Sequence, residues 1–286
     1  MPNRRIHKLV ECAPAKLNLP LAVLGRRSDG YHLLDSIVVF ADEADRLTLV
    51  PSDRLALRVG GATASEAGPL DDNLVLKAAR ALAAELPSLK LGRFTLEKRL
   101  PVAAGLGGGS SDAAAALRLA NGLLDSPLPP AELHAVAAGL GADVPFFLHA
   151  GPQLGIGDGS TLTPVALPRD YAVLLLLPAG AAKSSTADVY AAFDARNGEA
   201  GFEERREALL AASARLASRD DLADLPPNDL ASSPFAAELR DLGAFRADVT
   251  GAGPVVYALF ADRDAAGRAR AALEGRAAAL WLAEPA

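Results

Sequence analysis

Cysteine is nearly absent from this sequence. Cys12 is the only one, so no intramolecular disulfide can form and no metal site can rest on several thiolates. A reducing compartment, the cytoplasm, is the expectation that follows. Long hydrophobic runs are missing too. The opening MPNRRIHKLVECAPA has basic residues but no apolar stretch of signal-peptide length. The most apolar run, residues 171–177, stops at Pro178, far short of the ~20 residues a membrane helix needs, and reads as a buried strand. Positive charge is also in deficit, with a formal net charge of −6. That balance argues against nucleic acid or an anionic membrane as a partner, because both are drawn by a basic field. An anionic small molecule remains a fitting substrate, provided positive groups gather locally; the oligomeric state is not written in the sequence. Lysine is scarcer still, 6 against 23 arginines. Lys16, inside the apolar strand-like APAKLNLPL, therefore stands out, although such a lysine ordinarily lays its stem along a strand edge with its head in water.

What is present is a chain of 286 residues, half of them apolar and 22% charged, enough for a large core or for two modest domains around one cleft. Val75, Ala79, Leu82 and Leu86 recur at helical spacing, with Asp71, Asp72 and Asn73 as cap candidates before them. Phe94 and Leu96 alternate with Thr95 and Glu97 as in a strand, which Pro101 stops. A helix is expected from Ser110 or Ser111 onward with a serine N-cap, and another from about Pro130 to Gly139. Residues 151–168, rich in glycine and proline, are a candidate boundary. Beyond them come helices near 188–194, 202–217, 236–242 and 264–273, and a strand pair around Gly251 and Gly253. Grouped helices with hairpin-like strands favour an α+β fold.

The most informative stretch is LPVAAGLGGGSSDAA, from Leu100. Gly105, Gly107, Gly108 and Gly109 free the backbone of side chains where a helix begins, so several amides can converge on one anion at the positive end of the helix dipole. It lacks the closing Gly-Lys-Ser/Thr of a P-loop and fits a dinucleotide fingerprint only loosely, with serine in the third glycine position. A plain flexible loop with a serine cap is the alternative when the segment is taken alone.

GLGGGSSDAAAAL after Pro101 resembles the phosphate-binding motif of the GHMP kinases. APAKLNLPL resembles that family's N-terminal motif and VTGAGPVVYALF, residues 249–260, its C-terminal glycine motif. GRRSDGYHLLDSIVVF (residues 25–40) and GADVPFFL (residues 141–148) resemble the signatures of the diphosphocytidyl-methylerythritol kinases within it, although Asp29-Gly30 is also an ordinary hairpin turn. Pro20, and Ala252 with Pro254, depart from the usual pattern.

The resemblance implies a two-domain GHMP kinase fold, with an N-terminal lobe (1–158) like domain 2 of ribosomal protein S5, a C-terminal α/β sandwich lobe (159–286) and the active site in the cleft between them. It implies ATP as co-substrate, with the triphosphate held by Pro101, Ala103, Ala104, Gly105 and Leu106 and on through Gly107, Gly108, Gly109, Ser110 and Ser111. Asp143 becomes the candidate general base and Lys16 the group that keeps it ionised; taken alone, Asp143 would be a turn or cap aspartate. Asn18, Gly251 and Gly253 fall to the substrate. His32 would read the cytosine edge, with Tyr31 and Tyr190 as aromatic faces, where ordinary core packing is the competing account of the tyrosines. Magnesium follows from phosphoryl transfer itself, and the sequence assigns it no protein ligand. Homoserine, mevalonate or sugar kinases of the same family, and a catalytically silent nucleotide-binding relative, are the competing functions.

Overall fold

The computed structural model describes residues 8–26, 30, 32–86, 92–157, 159, 161–181 and 185–286, without the side chain of Leu24. Tyr31 lies outside the described residues. Two long strands open the chain, β1 (Leu9–Arg26) and β2 (His32–Val50), which pair with each other. Pro20 is accommodated inside β1, where its carbonyl accepts the Ser36 hydroxyl.

The chain divides into two compact units, each drawn from separate stretches. The first comprises residues 1–15, 44–102 and 107–150. In it, the end of β2 pairs antiparallel with β4 (Arg93–Glu97), which pairs in parallel with β3 (Ala56–Gly60). Helix α1 (Leu74–Glu85) buries Val75, Ala78, Ala79 and Leu82, the face that the apolar spacing marks. Its N-cap is Asn73, whose side chain accepts the Val75 amide. Against it packs α2 (Gly108–Asn121), whose Ala113–Ala116 run is wholly buried. Helix α3 (Pro130–Ala138) and a 3-10 turn at Pro145–Leu148 complete this unit.

Unit two comprises residues 16–43, 103–106 and 151–286. The glycine- and proline-rich stretch after 151 is ordered as a hairpin, β5 (Gln153–Ile156) with β6 (Thr161–Pro164), and β5 pairs with residues 36–38 of β2. A second, antiparallel sheet has the order β10-β7-β9-β8, where β7 is Ala172–Pro178, β8 Arg246–Val249, β9 Val256–Phe260 and β10 Ala277–Ala283. Helices α4 (Thr186–Ala195), α5 (Phe202–Ser213), α6 (Arg219–Ala223), α7 (Pro234–Asp241) and α8 (Arg263–Ala272) run between these strands. Leu239 of α7 and Ala266, Ala269 and Leu273 at α8 join Leu174, Leu176, Val256 and Phe260 in one buried cluster.

Candidate active site

Lys16 is buried on β1, only 6% exposed. Residues two apart share one face of a strand, and Lys16 Nζ donates to Asn18 Oδ1 at 2.6 Å. Asn18 Nδ2 donates to Ser36 Oγ at 2.8 Å, and the Asn18 amide to Thr250 Oγ1 at 3.1 Å. The stretch 103–106 runs beside these groups: the Lys16 amide donates to Leu106 O at 2.9 Å and the Val255 amide to Ala104 O at 3.3 Å. Gly105 has φ +84°, and a Cβ there would sit 2.1 Å from Thr250 O, so glycine is required. Ala103 holds φ +54° without that freedom. A Cβ on Gly251 would lie 3.4 Å from Asn18 Oδ1, Gly105 O and Lys16 Nζ. The second unit thus gathers Lys16, Asn18, Gly105 and Gly251, as the sequence motifs suggested. Gly253, at φ +76°, precedes a cis peptide to Pro254.

Three further parts of this arrangement escaped sequence reasoning: Ser36, Thr250 and Asn228. Asn228 Nδ2 donates to Val249 O at 2.9 Å and Gly251 O at 2.8 Å. The stretch 196–225, where no motif is legible, supplies Arg205 to Asp229 and Arg206 to buried Asp35, each at 2.9 Å. Those carboxylates also accept the amides of Val23 and Gly157, so α5 braces both long strands.

Within the first unit the glycine stretch continues through 107–111. Helix α2 begins at Gly108, earlier than the expected Ser110 or Ser111, and its N-cap is Gly107 at φ +67° with no side-chain cap. A left-handed residue with no Cβ turns the chain more tightly than a serine cap. Ser111 is consequently inside the helix, fully buried, its Oγ without a hydrogen-bond partner among the described residues. Beneath this turn lies an ionic cluster. Lys98 Nζ donates to Asp45 Oδ2 and, at 2.8 Å, to Asp112 Oδ2. Asp45 Oδ1 also accepts the amides of Arg99 at 2.5 Å and Leu100 at 2.9 Å. Burial pushes the Asp112 carboxyl up to about 7, resisted by the Lys98 ammonium and aided by Asp45. Burial alone would depress Lys98, but its two carboxylates outweigh this and hold it above the usual ammonium value. The scarcity of lysine that flagged Lys16 could have flagged Lys98 as well.

Asp143 is exposed in a turn. Val144, Pro145, Phe146 and Phe147 behind it are buried, and Arg118 of α2 donates to Phe147 O at 2.5 Å. A carboxylate on an anchored turn can meet a ligand without reorganising. In the other unit, the predicted base readers meet: His32 and Tyr190 stack with ring centroids 4.6 Å apart and planes at 24°. His32 Nε2 is 2.6 Å from Asp194 Oδ1.

Residues 73–151 match the family described as GHMP kinases N terminal domain, and residues 201–279 match GHMP kinases C terminal. The chain belongs to the GHMP kinases. Within this family it is 46% identical to a 4-diphosphocytidyl-2-C-methyl-D-erythritol kinase of Methylobacterium radiotolerans, over 96% of this chain and 97% of the relative. A protein of the same name from Methylorubrum extorquens is 43% identical over 94% and 96%. A crystal structure of 4-(cytidine 5'-diphospho)-2C-methyl-D-erythritol kinase superposes with a TM-score of 0.77 at 32% identity, covering 97% of this chain and 99% of the other. The mevalonate kinase of Methanococcus jannaschii, at 14% identity and a TM-score of 0.71 over the whole of both chains, shares the fold. The α+β architecture implied by the motifs is therefore the GHMP kinase architecture.

Proposed function

We propose that this GHMP kinase transfers the γ-phosphoryl group of ATP to the 2-hydroxyl of 4-(cytidine 5'-diphospho)-2-C-methyl-D-erythritol, in the non-mevalonate route to isoprenoids. The observation that carries the proposal is the cluster around Lys16: a buried ammonium bonded to Asn18, with Gly105 and Gly251 of both glycine motifs against it. The full-length kinship with proteins of that name supports the same substrate.

Phosphoryl transfer needs an in-line hydroxyl and positive charge on the equatorial oxygens more than covalent help. Asp143 accepts the proton of the attacking hydroxyl, and Lys16 supports the developing charge. Backbone amides of residues 107–110, at the start of α2, hold the triphosphate together with the Ser110 hydroxyl, whereas the Ser111 amide is taken by Gly107 O. The stacked His32 and Tyr190 offer the surface and edge for cytosine, and Asn18 a contact for the methylerythritol hydroxyls. Among the described residues no three His, Cys, Asp or Glu side chains group to hold a metal ion. Magnesium belongs to the same proposal, and would arrive with the nucleotide and neutralise charge on its phosphates. A cytoplasmic setting belongs to the same proposal; no helix among the described residues is long and apolar enough to cross a membrane. The division into 1–158 and 159–286 stays a proposal, with its boundary in the stretch between the two matched regions.

A coupled kinase assay decides the substrate. The cytidyl compound should be turned over far faster than bare methylerythritol phosphate, homoserine, mevalonate or galactose. Equal efficiency with and without the cytidyl group would remove the base pocket and the substrate assignment together.

A further inference from the structure

The ionic cluster under the first turn of α2 holds an unequal count of charges. One ammonium, Lys98, lies between two carboxylates, Asp45 and Asp112, and all three are buried. With every group ionised the cluster carries a net charge of −1, at the helix end where the triphosphate would bring several more. The two carboxylates are not equivalent. Asp45 accepts from Lys98 and from the Arg99 and Leu100 amides. Among the described residues Asp112 accepts only from Lys98, and its Oδ1 is buried with no hydrogen-bond partner. A proton added to the cluster therefore belongs on Asp112.

The cluster also spans the phosphate loop. Asp45 fixes the backbone where β4 leaves for the loop, Asp112 sits in the helix that follows it, and Lys98 ties the two. A Cβ on Gly108 would lie 3.4 Å from Lys98 Nζ and 3.5 Å from Asp45 Oδ2, so only a glycine backbone separates the cluster from the loop.

We propose that Asp112 takes up a proton when a nucleotide triphosphate occupies the glycine loop, making Asp112 a positioning residue through which ATP binding is coupled to pH. This rests on the loop being the ATP site. The proton comes from solvent onto a carboxylate oxygen of Asp112 and returns when the nucleotide leaves; no other bond changes. Its direction follows from Coulomb's law: an arriving anion raises the proton affinity of a nearby buried carboxylate. Burial has already brought Asp112 to about 7, so a further rise falls in the neutral range.

No other titratable group offsets the effect. Among the described residues, Asp45 of β2 and Lys98, just after β4, are the charged groups that face Asp112 from this sheet. The face of α1 on α2 is apolar, and its Lys77 and Arg80 are about half exposed, paired with Asp72 and Asp71. On α2 itself Arg118 is taken by Glu11 and the Phe147 carbonyl. Helix α3 brings Glu132 and His134, and His149 follows the 3-10 turn packed beside it, its ring 5.7 Å from that of His134. None of these three enters the balance at Asp112.

The test is calorimetry of a non-hydrolysable ATP analogue with magnesium, in phosphate, HEPES and Tris at neutral to mildly alkaline pH. The apparent enthalpy should vary with the buffer's ionisation enthalpy and report uptake of roughly half a proton or more, while Asp112→Asn should take up none. Between pH 7 and 9 the wild-type Kd should rise by up to about tenfold per pH unit, and that of Asp112→Asn should stay level. Zero uptake by the wild type at every pH overturns the proposal, whether or not the variant folds; so does equal uptake by both proteins. A folded Gly107→Val that binds the analogue as tightly as wild type would instead overturn the loop assignment beneath it.

Discussion

The side-chain amide of Asn228 donates to the carbonyl oxygen of Gly251 at 2.8 Å. The same nitrogen reaches Val249 O, while Asn228 Oδ1 accepts the Leu230 amide. One carboxamide therefore grips the backbone on both sides of Thr250, whose hydroxyl receives the Asn18 amide and donates to Gly105 O.

Asn228→Ala should leave two buried carbonyls short of a donor and cost about 2–3 kcal/mol in unfolding free energy. In the variant that still folds, kcat/KM should drop by roughly tenfold, as expected when positioning is lost. Asn228→Asp keeps the shape but not the donors and should fare no better. Denaturant titration giving wild-type stability for Asn228→Ala would refute the grip.

Asp143→Asn should lower kcat by roughly 10² to 10⁴, the usual worth of a positioned general base, and leave ATP affinity nearly unchanged. Steady-state kinetics retaining more than about a third of wild-type kcat would take the base role from Asp143.

His32→Ala and Tyr190→Ala should each raise KM for the cytidyl substrate by roughly tenfold, since stacking and base-edge hydrogen bonds are each worth about 1–3 kcal/mol. KM for ATP should barely move. Asp194→Asn, which weakens the hold on His32 Nε2, should act in the same direction to a smaller extent. Parallel rises in both KM values would mark the pair as structural.

Asp112 also gives stability a pH dependence of definite sign. Its carboxyl is raised from 3.8 to about 7 in the folded chain, so the native state holds a proton that the unfolded state has lost. Unfolding free energy should fall as pH rises from about 4 to about 7 and level off above. Lys98, held above 10.5, keeps its contribution below that value and loses it only on passing through its still higher folded value. Asp112→Asn should be free of the neutral-range loss. Urea titrations from pH 4.5 to 8 showing the same pH slope for both proteins would contradict this.

The parts legible in the sequence were those written in contiguous residues. Helix α1, strand β4 and the glycine motifs announce themselves through spacing, caps and residues with no Cβ, and the family resemblance drew Lys16, Asn18 and Gly251 together. Asp45 and Lys98 lie 53 positions apart, and no periodicity connects them. Asn228 and Gly251 are 23 apart, and although Gly251 stands in a recognisable glycine motif, nothing around Asn228 marks it as that motif's partner. Strand β10, Ala277–Ala283, went unnoticed because AAALWLA lacks alternation. The start of α2 was read from serine side chains, whereas the backbone turn at Gly107 decides it.

Leu19 and Arg246 impose an order on biosynthesis. Arg246 is buried, with donors to the carbonyls of Leu19, Leu222, Leu225 and Pro226 and to the Tyr257 hydroxyl, which itself donates to Leu19 O. Arg246 is separated from Leu19 by 227 positions, and at ~5–20 residues per second a ribosome needs roughly 10 to 45 s to cross that interval. During that delay β1 can pair with β2, its neighbour in the finished sheet, but the Leu19 carbonyl still waits for Arg246 and Tyr257. The anchoring of β1 to the second sheet is therefore among the last contacts a growing chain can make.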